Sequence, residues 1–189
     1  MTNVVEYLNQ ISPLSEQTLA LMEPIFVSGE LKKDDYFIRE GVLANEIAFL
    51  EQGVVRAFYV NKEGKEYNKT LFTAPAIIGS YVSLISKTKN RLPQQALSDC
   101  KIWRASYDVI ERLSEGNYEI ERLRRKIAER FFVRSEKKQI EMALLEAKER
   151  YAIFREEHPG FEDSIPQYHI ASYLGISPTQ LSRIRKTLI

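Results

Sequence analysis

The chain contains a single cysteine, Cys100. A lone thiol excludes an internal disulfide and any metal centre built from several cysteines, so its expected place is a half-buried strand. Histidine is almost as scarce. His158 and His169 are the only two, both in the C-terminal half, which leaves the strand-rich region without an imidazole ligand for a metal-binding barrel. No apolar run approaches the roughly 18 residues of a membrane span. The opening stretch MTNVVEYLNQISPLSEQ has neither the cationic start nor the apolar centre of a secretion signal, so a cytoplasmic location with no membrane partner is expected. Neither sign of charge prevails: 27 Lys and Arg stand against 26 Asp and Glu, a net +1. Affinity for a polyanion must therefore come from local clustering. The signatures GxSxG, GxxxxGK[ST] and HExxH are all missing. No nucleophile–base pair can be named, so no catalytic residue and no resident metal are expected and the chain is read as a non-enzyme.

Another absence is local. From Ser164 onward there is no acidic residue, while Arg183, Arg185 and Lys186 crowd the last segment. The run Gln167–Ile189 has apolar positions at Ile170, Leu174, Ile176, Leu181 and Ile184, with small Ala171 four residues before Gly175. This spacing predicts two short helices crossing at a tight turn, Ala171 permitting close approach and Gly175 supplying a left-handed backbone. Ser177, Pro178 and Gln180 read as N-cap, first helical residue and the far end of a capping box. A helix-turn-helix directed at DNA is the expectation. Two ordinary helices closing a core is the plainer alternative.

Upstream, residues 3–28 read as short helices. Strands are predicted over Tyr36–Arg39, Glu46–Glu51, Val54–Val60, Tyr67–Phe72 and Gln94–Ser106, with turns at Gly41, Gln52–Gly53, Asn61–Gly64 and Ala74–Pro75. Several strands so spaced point to a small sandwich or barrel. Tyr36, Phe58, Tyr59, Tyr67, Phe72 and Tyr81 fit core packing there, or the lining of an apolar pocket. Asp34–Asp35 and Asp99 are expected to serve turns. After a short helix at Tyr107–Leu113, one long helix is predicted from Asn117 to about Lys138, with Ile120, Leu123, Ile127 and Phe131 on one stripe between charged shoulders. Such a narrow seam suits a two-helix interface between subunits; packing on the strand domain is the alternative. Two further helices, near Gln139–Ala147 and Lys148–Glu157, end at His158–Pro159–Gly160. Glu156–Glu157–His158 reads as a solvated cap, and His169 as solvent-facing or phosphate-contacting. The expected organisation is α+β: a β-roll unit over 1–116, a dimerisation helix over 117–138 and an all-α helix-turn-helix unit over 139–189.

Phe37-Ile38-Arg39-Glu40-Gly41 and Ala48-Phe49-Leu50-Glu51-Gln52-Gly53-Val54-Val55-Arg56, then Ile78-Gly79-Ser80-Tyr81, then Pro166 to Lys186, occur in an order that resembles the CRP/FNR family of bacterial transcription regulators. The resemblance spans roughly Leu31 to Lys186. It implies a double-stranded, cyclic-nucleotide-binding-like β-roll, a long dimerisation helix and a C-terminal helix-turn-helix. Its implied partners are double-stranded DNA, a second copy of the chain and RNA polymerase. A small-molecule effector would sit near Gly79, Ser80, Tyr81, Asn90, Arg91 and Leu92.

Departures from the family qualify this. The Glu that takes a ribose hydroxyl in nucleotide-binding members is Ser80, the phosphate-binding Arg is Asn90, and the Ser/Thr after it is Arg91. Ser can make one neutral hydrogen bond but lacks the carboxylate's charge-assisted strength, and Asn cannot neutralise a phosphate. A one-residue slip turns a strand side chain to the other face, Leu92 replaces a small polar residue, and Pro93 removes a donor. Tight cAMP binding is therefore not expected; the cavity is empty, adapted to another ligand or filled by its own side chains. One cysteine and two C-terminal histidines support neither the iron–sulfur nor the haem branch, so no cofactor is assigned. The family's base readers fall on Pro178, Thr179 and Arg183, and the wing that follows the recognition helix in many members is missing. Base recognition would rest on Thr179, Gln180, Ser182 and Arg183. Gln167, Tyr168, Ser177, Arg185 and Lys186 would mainly position phosphates. About five phosphates neutralised per dimer would give a log–log salt slope of about −4 to −5. An interaction module whose helix-turn-helix no longer reads DNA, and a true cyclic-nucleotide-responsive regulator, remain as alternative readings.

Overall fold

The computed structural model describes residues 2–187. Two helices come first, α1 (Thr2–Ile11) and α2 (Glu16–Met22), the second capped by Ser15, whose hydroxyl accepts the Thr18 N–H. Eight strands follow: β1 (Val27–Leu31), β2 (Tyr36–Ile38), β3 (Glu46–Gln52), β4 (Val54–Val60), β5 (Glu66–Thr73), β6 (Ala76–Ile78), β7 (Gln94–Ala96) and β8 (Cys100–Ser106), with α3 (Tyr81–Ser86) between β6 and β7. They form two four-stranded antiparallel sheets, ordered β1-β8-β3-β6 and β2-β7-β4-β5. The predicted β-roll is thus present. Two strands, β1 and β6, go beyond the sequence expectation, and the single strand expected over Gln94–Ser106 is two, divided at Leu97–Asp99.

The runs without alternation are explained by coverage on both faces. In β3, Ala48 and Leu50 point into the roll beside Val55, Ala57, Ile78, Ala96 and Ile102, whereas Phe49 points outward against Val4, Leu8 and Met22. In β4, Val55 and Ala57 face the roll interior while Val54 joins a core built with the C-terminal helices. The β3–β4 turn admits only glycine: Gly53 has φ +99°, and a Cβ there would lie 2.5 Å from the Asp99 carbonyl oxygen. Asp99 and Asp35 do serve turns, accepting the backbone N–H groups of Lys33 and Lys32. Cys100 is fully buried in β8, more enclosed than its expected half-buried place.

The α4 helix (Tyr107–Ser114) leads into α5 (Tyr118–Leu144), whose N-cap Asn117 accepts the N–H groups of Glu119 and Ile120 at 3.0 and 3.2 Å. The long helix does not stop near Lys138. Glu141, Met142, Ala143 and Leu144 are strong helix formers and no breaker precedes them, so the separate helix expected over Gln139–Ala147 is the end of α5. A new start at Glu146, in a capping box with Glu149, then opens α6 (Ala147–Glu157). The chain ends in α7 (Gln167–Leu174) and α8 (Pro178–Thr187).

The expected intersubunit seam is corrected by the packing. Ile120 and Leu123 are 1% and 2% exposed within the single chain, in one core with Val4, Leu8, Ile11, Met22 and Phe49. Ile127 packs partly buried on that core and Phe131 on the roll core. The N-terminal helices and the outer face of β3 cover Ile120 and Leu123 within the subunit, while Ile127 and Phe131 keep part of their surface open. At about 100° per residue, the opposite side of α5 carries Phe132, Val133, Ile140 and Leu144, all exposed. The C-terminal helices are not a detached unit either. Tyr151, Phe154, Phe161, Ile170 and Leu174 share a core with Val54, Leu71 and Leu97 of the roll.

Candidate nucleic-acid interface and effector pocket

The turn between α7 and α8 is built as its residues require. Gly175 adopts φ +70°, its N–H reaches the Ser172 carbonyl at 3.2 Å, and Ile176 N–H reaches that of Ala171 at 3.0 Å. This is a left-handed helix stop. Ile170, Ala171, Leu174 and Leu181 are fully buried at the crossing, with Ile176 and Ile184 packed beside them. The Ser177 hydroxyl accepts the Gln180 N–H at 3.2 Å. Only this half of the expected capping box forms among the described residues, which leaves the Gln180 side chain turned to solvent.

Taking buried Leu181 as the inner pole of α8, Thr179, Arg183 and Lys186 fall within about 40° of the outer pole, with Ser182 and Gln180 on its shoulders. All five are exposed, as is Ser177. Among the described residues Arg183 and Lys186 make no ion pair. Arg185 is different. It lies near the inner side of the helix, and its Nε sits 3.6 Å from Glu162 Oε1. The same carboxylate accepts the Tyr151 hydroxyl and lies 3.7 Å from Arg155 Nε. Burial and this bond push the Tyr151 phenol up to about 12. Arg185, expected to help position phosphates, is therefore already paired within the chain. Glu162 stands two residues before the acid-free segment begins, and that position hid it. Gln167 is likewise occupied, its Nε2 donating to the Glu162 carbonyl at 3.0 Å. Tyr168 stays exposed over the His169 ring. Between α7 and α8, Gln167, Pro178, Ser182, Arg185 and Lys186 line an open groove of about 300 Å³.

Both histidines depart from expectation: each is 5% exposed, not solvated. Each meets β5. Asn68 Nδ2 donates to the His169 carbonyl at 3.0 Å and approaches its Nδ1 at 3.3 Å, while Ser172 Oγ accepts the Asn68 N–H at 2.9 Å. Thr73 Oγ1 lies 3.4 Å from His158 Nδ1. Burial first, then nearby guanidinium charge (Arg134 for His158, Arg56 for His169), pushes both imidazoles down to about 4. Beneath this latch, buried Arg56 holds Glu66 at 2.5 Å and Gln95 Oε1 at 2.6 Å. Glu157, expected as part of a solvated cap, is instead paired with Lys137 at 2.6 Å.

The expected effector positions are engaged in different ways. Asn90 is buried and fully committed: its Nδ2 donates to the Arg39 carbonyl, and its Oδ1 accepts the Leu92 N–H. Arg91 is exposed. Leu92 packs on the roll core, and Gln94, whose Oε1 is buried without a partner, donates to the Gly79 carbonyl at 2.9 Å. Ser80 is buried at the entry to α3 but its hydroxyl does not cap that helix. Of the expected group, Gly79 and Tyr81 line an apolar cleft shared with α1, β3, β6 and α5. Of the aromatic residues named from the sequence, Phe58 and Phe72 are core, whereas Tyr59, Tyr67 and Tyr81 keep a substantial part of their surface exposed.

Sequence reasoning missed Glu162, the Asn68–His169–Ser172 latch and the outer face of α5. The last was visible: Val133, Ile140 and Leu144 repeat at seven and four residues. The other two depend on contacts between distant segments.

Residues 29–117 match the protein family described as cyclic nucleotide-binding domain. No curated protein matches the sequence. Among solved structures, FixK2 from Bradyrhizobium japonicum is similar with a TM-score of 0.77 at 19% identity, over 87% of this chain and 84% of that one. The c-di-GMP-responsive global regulator CLP of Xanthomonas campestris gives 0.69 at 15% identity, over 92% and 91%. A CRP/FNR-family protein of Eubacterium rectale gives 0.71 at 14% identity, over 92% and 83%. At these identities the likeness establishes the fold. No helix among the described residues is long and apolar enough to cross a membrane.

Proposed function

With residues 29–117 forming a cyclic nucleotide-binding domain on a chain that has the fold of CRP/FNR regulators, we propose that this protein is a dimeric DNA-binding transcription regulator. The observation that carries the reading is the outer face of α8. Thr179, Gln180, Ser182, Arg183 and Lys186 are exposed together on one side of a well-packed helix that contains no acid. A helix presented in this way fits the major groove, where Gln reads adenine and Arg reads guanine by paired hydrogen bonds. Lys186, Tyr168 and Ser177 then meet the backbone. The second copy joins through Phe132, Val133, Ile140 and Leu144 on the open side of α5, where exposed apolar side chains otherwise have no cover.

The roll is not tuned for cAMP. Asn90 is consumed in holding the Arg39 carbonyl, Arg91 stands in solvent, and Ser80 offers no charge. A cyclic phosphate brought there would lose its hydration without gaining a cation. The regulator reading is preferred to catalysis because no nucleophile and base come together at this interface.

In vitro selection of DNA sites by the full-length protein, with and without cAMP, tests the proposal. The expected result is a two-fold symmetric site whose half-sites are centred about 34 Å apart, recovered equally well in both conditions. Failure to enrich any sequence would overturn the DNA-binding assignment, and a cAMP-dependent site would overturn the reading of the roll.

A further inference from the structure

Sheet order leaves β5 at an edge, and the helix-turn-helix sits against that edge. The outer backbone groups of an edge strand have no strand partner and must be met by something else. Ser172 of α7 meets two of them: its hydroxyl accepts the Asn68 N–H at 2.9 Å and donates to the Glu66 carbonyl at 3.4 Å. The Asn68 side chain adds a third tie, Nδ2 donating to the His169 carbonyl at 3.0 Å.

The orientation of that amide is fixed from within the roll. Arg56 Nη1 donates to Asn68 Oδ1 at 3.5 Å, and a guanidinium has no acceptor, so the NH2 end is turned toward α7. Arg56 is itself held by Glu66 and by Gln95 Oε1. A chain of polar groups thus runs from Gln95 on β7 through Arg56 on β4 and Asn68 on β5 to His169 and Ser172 on α7, with Arg56, Asn68 and His169 buried. The core that Val54, Leu71 and Leu97 share with Ile170 and Leu174 supplies apolar contact between the same two units. Apolar contact is non-directional, whereas hydrogen bonds at fixed points set an angle and a register. A satisfied buried network specifies one arrangement.

Docking uses α7 and spares α8. Thr179, Gln180, Ser182, Arg183 and Lys186 stay exposed while α7 is held. The latch therefore orients the recognition helix and does not mask it. We propose that Asn68 and Ser172 are positioning residues, which lock the helix-turn-helix onto the roll of its own subunit without an effector, in the orientation that binds DNA. The locking stands on these contacts alone; the DNA-binding orientation rests on the regulator reading proposed for this chain.

Two measurements separate the halves. Nitroxide labels at Ser28→Cys on the roll and Thr187→Cys on α8 report the distance between the two units in the full-length protein without DNA, with labelled chains diluted in unlabelled ones. Cys100 is buried and out of reach of the reagent. One narrow distribution is expected, broadened in Asn68→Ala/Ser172→Ala once circular dichroism shows that variant to be folded. A broad distribution in the parent, or no broadening in the folded variant, would overturn the latch. The second measurement uses Asn68→Cys/Ser172→Cys, since the Asn68 N–H bond to Ser172 Oγ brings these residues within disulfide reach. Reduced, the pair lacks the Asn68 amide and the Ser172 hydroxyl; oxidised, it restores the tie covalently. Each neutral hydrogen bond is worth about fivefold. The oxidised form is expected to bind a selected duplex as tightly as the parent, and the reduced form about tenfold more weakly. Tighter binding by the reduced form would make the docked state an inhibited one and overturn the proposal, as would equal binding by both forms. A parent protein that selects no DNA site removes the regulator reading and the DNA-binding half of this one, while the label distances still decide the latch.

Discussion

Replacing Glu162 by Gln isolates the electrostatics of the proposed DNA face. In the parent protein Arg185 Nε lies 3.6 Å from Glu162 Oε1, leaving Arg183 and Lys186 as the α8 cations free to meet phosphate in each subunit. Each neutralised phosphate contributes about 0.9 to the log–log slope of affinity against salt, so four cations per dimer give a slope of about −3.6. This is shallower than the slope of about −4 to −5 expected for about five neutralised phosphates per dimer. Gln is isosteric and retains an oxygen to accept the Tyr151 hydroxyl, but it carries no charge to hold Arg185. Two more cations per dimer then steepen the slope to about −5.4. Between 50 and 200 mM salt the parent would lose about 150-fold in affinity and the variant about 1,800-fold. Fluorescence anisotropy on a selected duplex reads both slopes, with urea unfolding confirming that the variant is folded. Arg155 also loses a partner, at 3.7 Å, so Glu162→Gln with Arg185→Ala is the control and should return to the parent slope. If Glu162→Gln leaves the slope unchanged, or the double variant stays as steep as the single one, the restraint of Arg185 by Glu162 has no bearing on DNA binding.

Three other outcomes follow from the packing. Both imidazoles lie at about 4 in the folded chain against an ordinary 6.5, so the unfolded chain binds more protons between those values. Stability contributed by the neutral histidines is complete above about pH 6.5 and is lost as pH falls toward 4; urea midpoints at pH 7 and 4.5 should converge less in the parent than in His158→Gln/His169→Gln, and equal losses would reject a neutral buried pair. Val133→Glu with Ile140→Glu should convert a dimer to monomer in sedimentation equilibrium without lowering the thermal midpoint of the monomer, whereas persistence of the dimer would move the interface elsewhere. Gly175→Ala, at φ +70° and with its new Cβ 2.6 Å from Met142 Cε, should cost about 1–2 kcal/mol in urea unfolding; a neutral effect would mean that the turn relaxes out of its left-handed conformation.

How far the sequence reveals this molecule depends on which interactions are local. The α7–α8 turn was readable from Ala171, Gly175, Ser177 and Pro178 because caps and left-handed stops are made by neighbours within a few residues. Strands β3, β4 and β5 were readable because apolar runs and turn glycines bracket them. Strand β1 was not: Val27, Ser28 and Glu30 are exposed at a sheet edge, and Gly29 interrupts the pattern. Strand β6 has only three residues, too few for any period. The histidines were misread for a different reason. His169 meets Asn68, 101 residues earlier, and His158 meets Thr73, 85 residues earlier, and no local signal records either contact.

The long helix shows the same limit in a sharper form. Ile120, Leu123, Ile127 and Phe131 announce a face that must be covered, but periodicity does not say what covers it. The same stripe serves a second subunit or the chain's own roll equally well. Here α1 and Phe49 take that face, and the weaker repeat of Val133, Ile140 and Leu144 is left for a partner. In the proposed dimer, one face of α5 then rests against the sensor and its cleft while the other meets the second copy. In that proposed dimer the outer face of α5 would set the spacing of the two α8 helices, which must match half-sites about 34 Å apart.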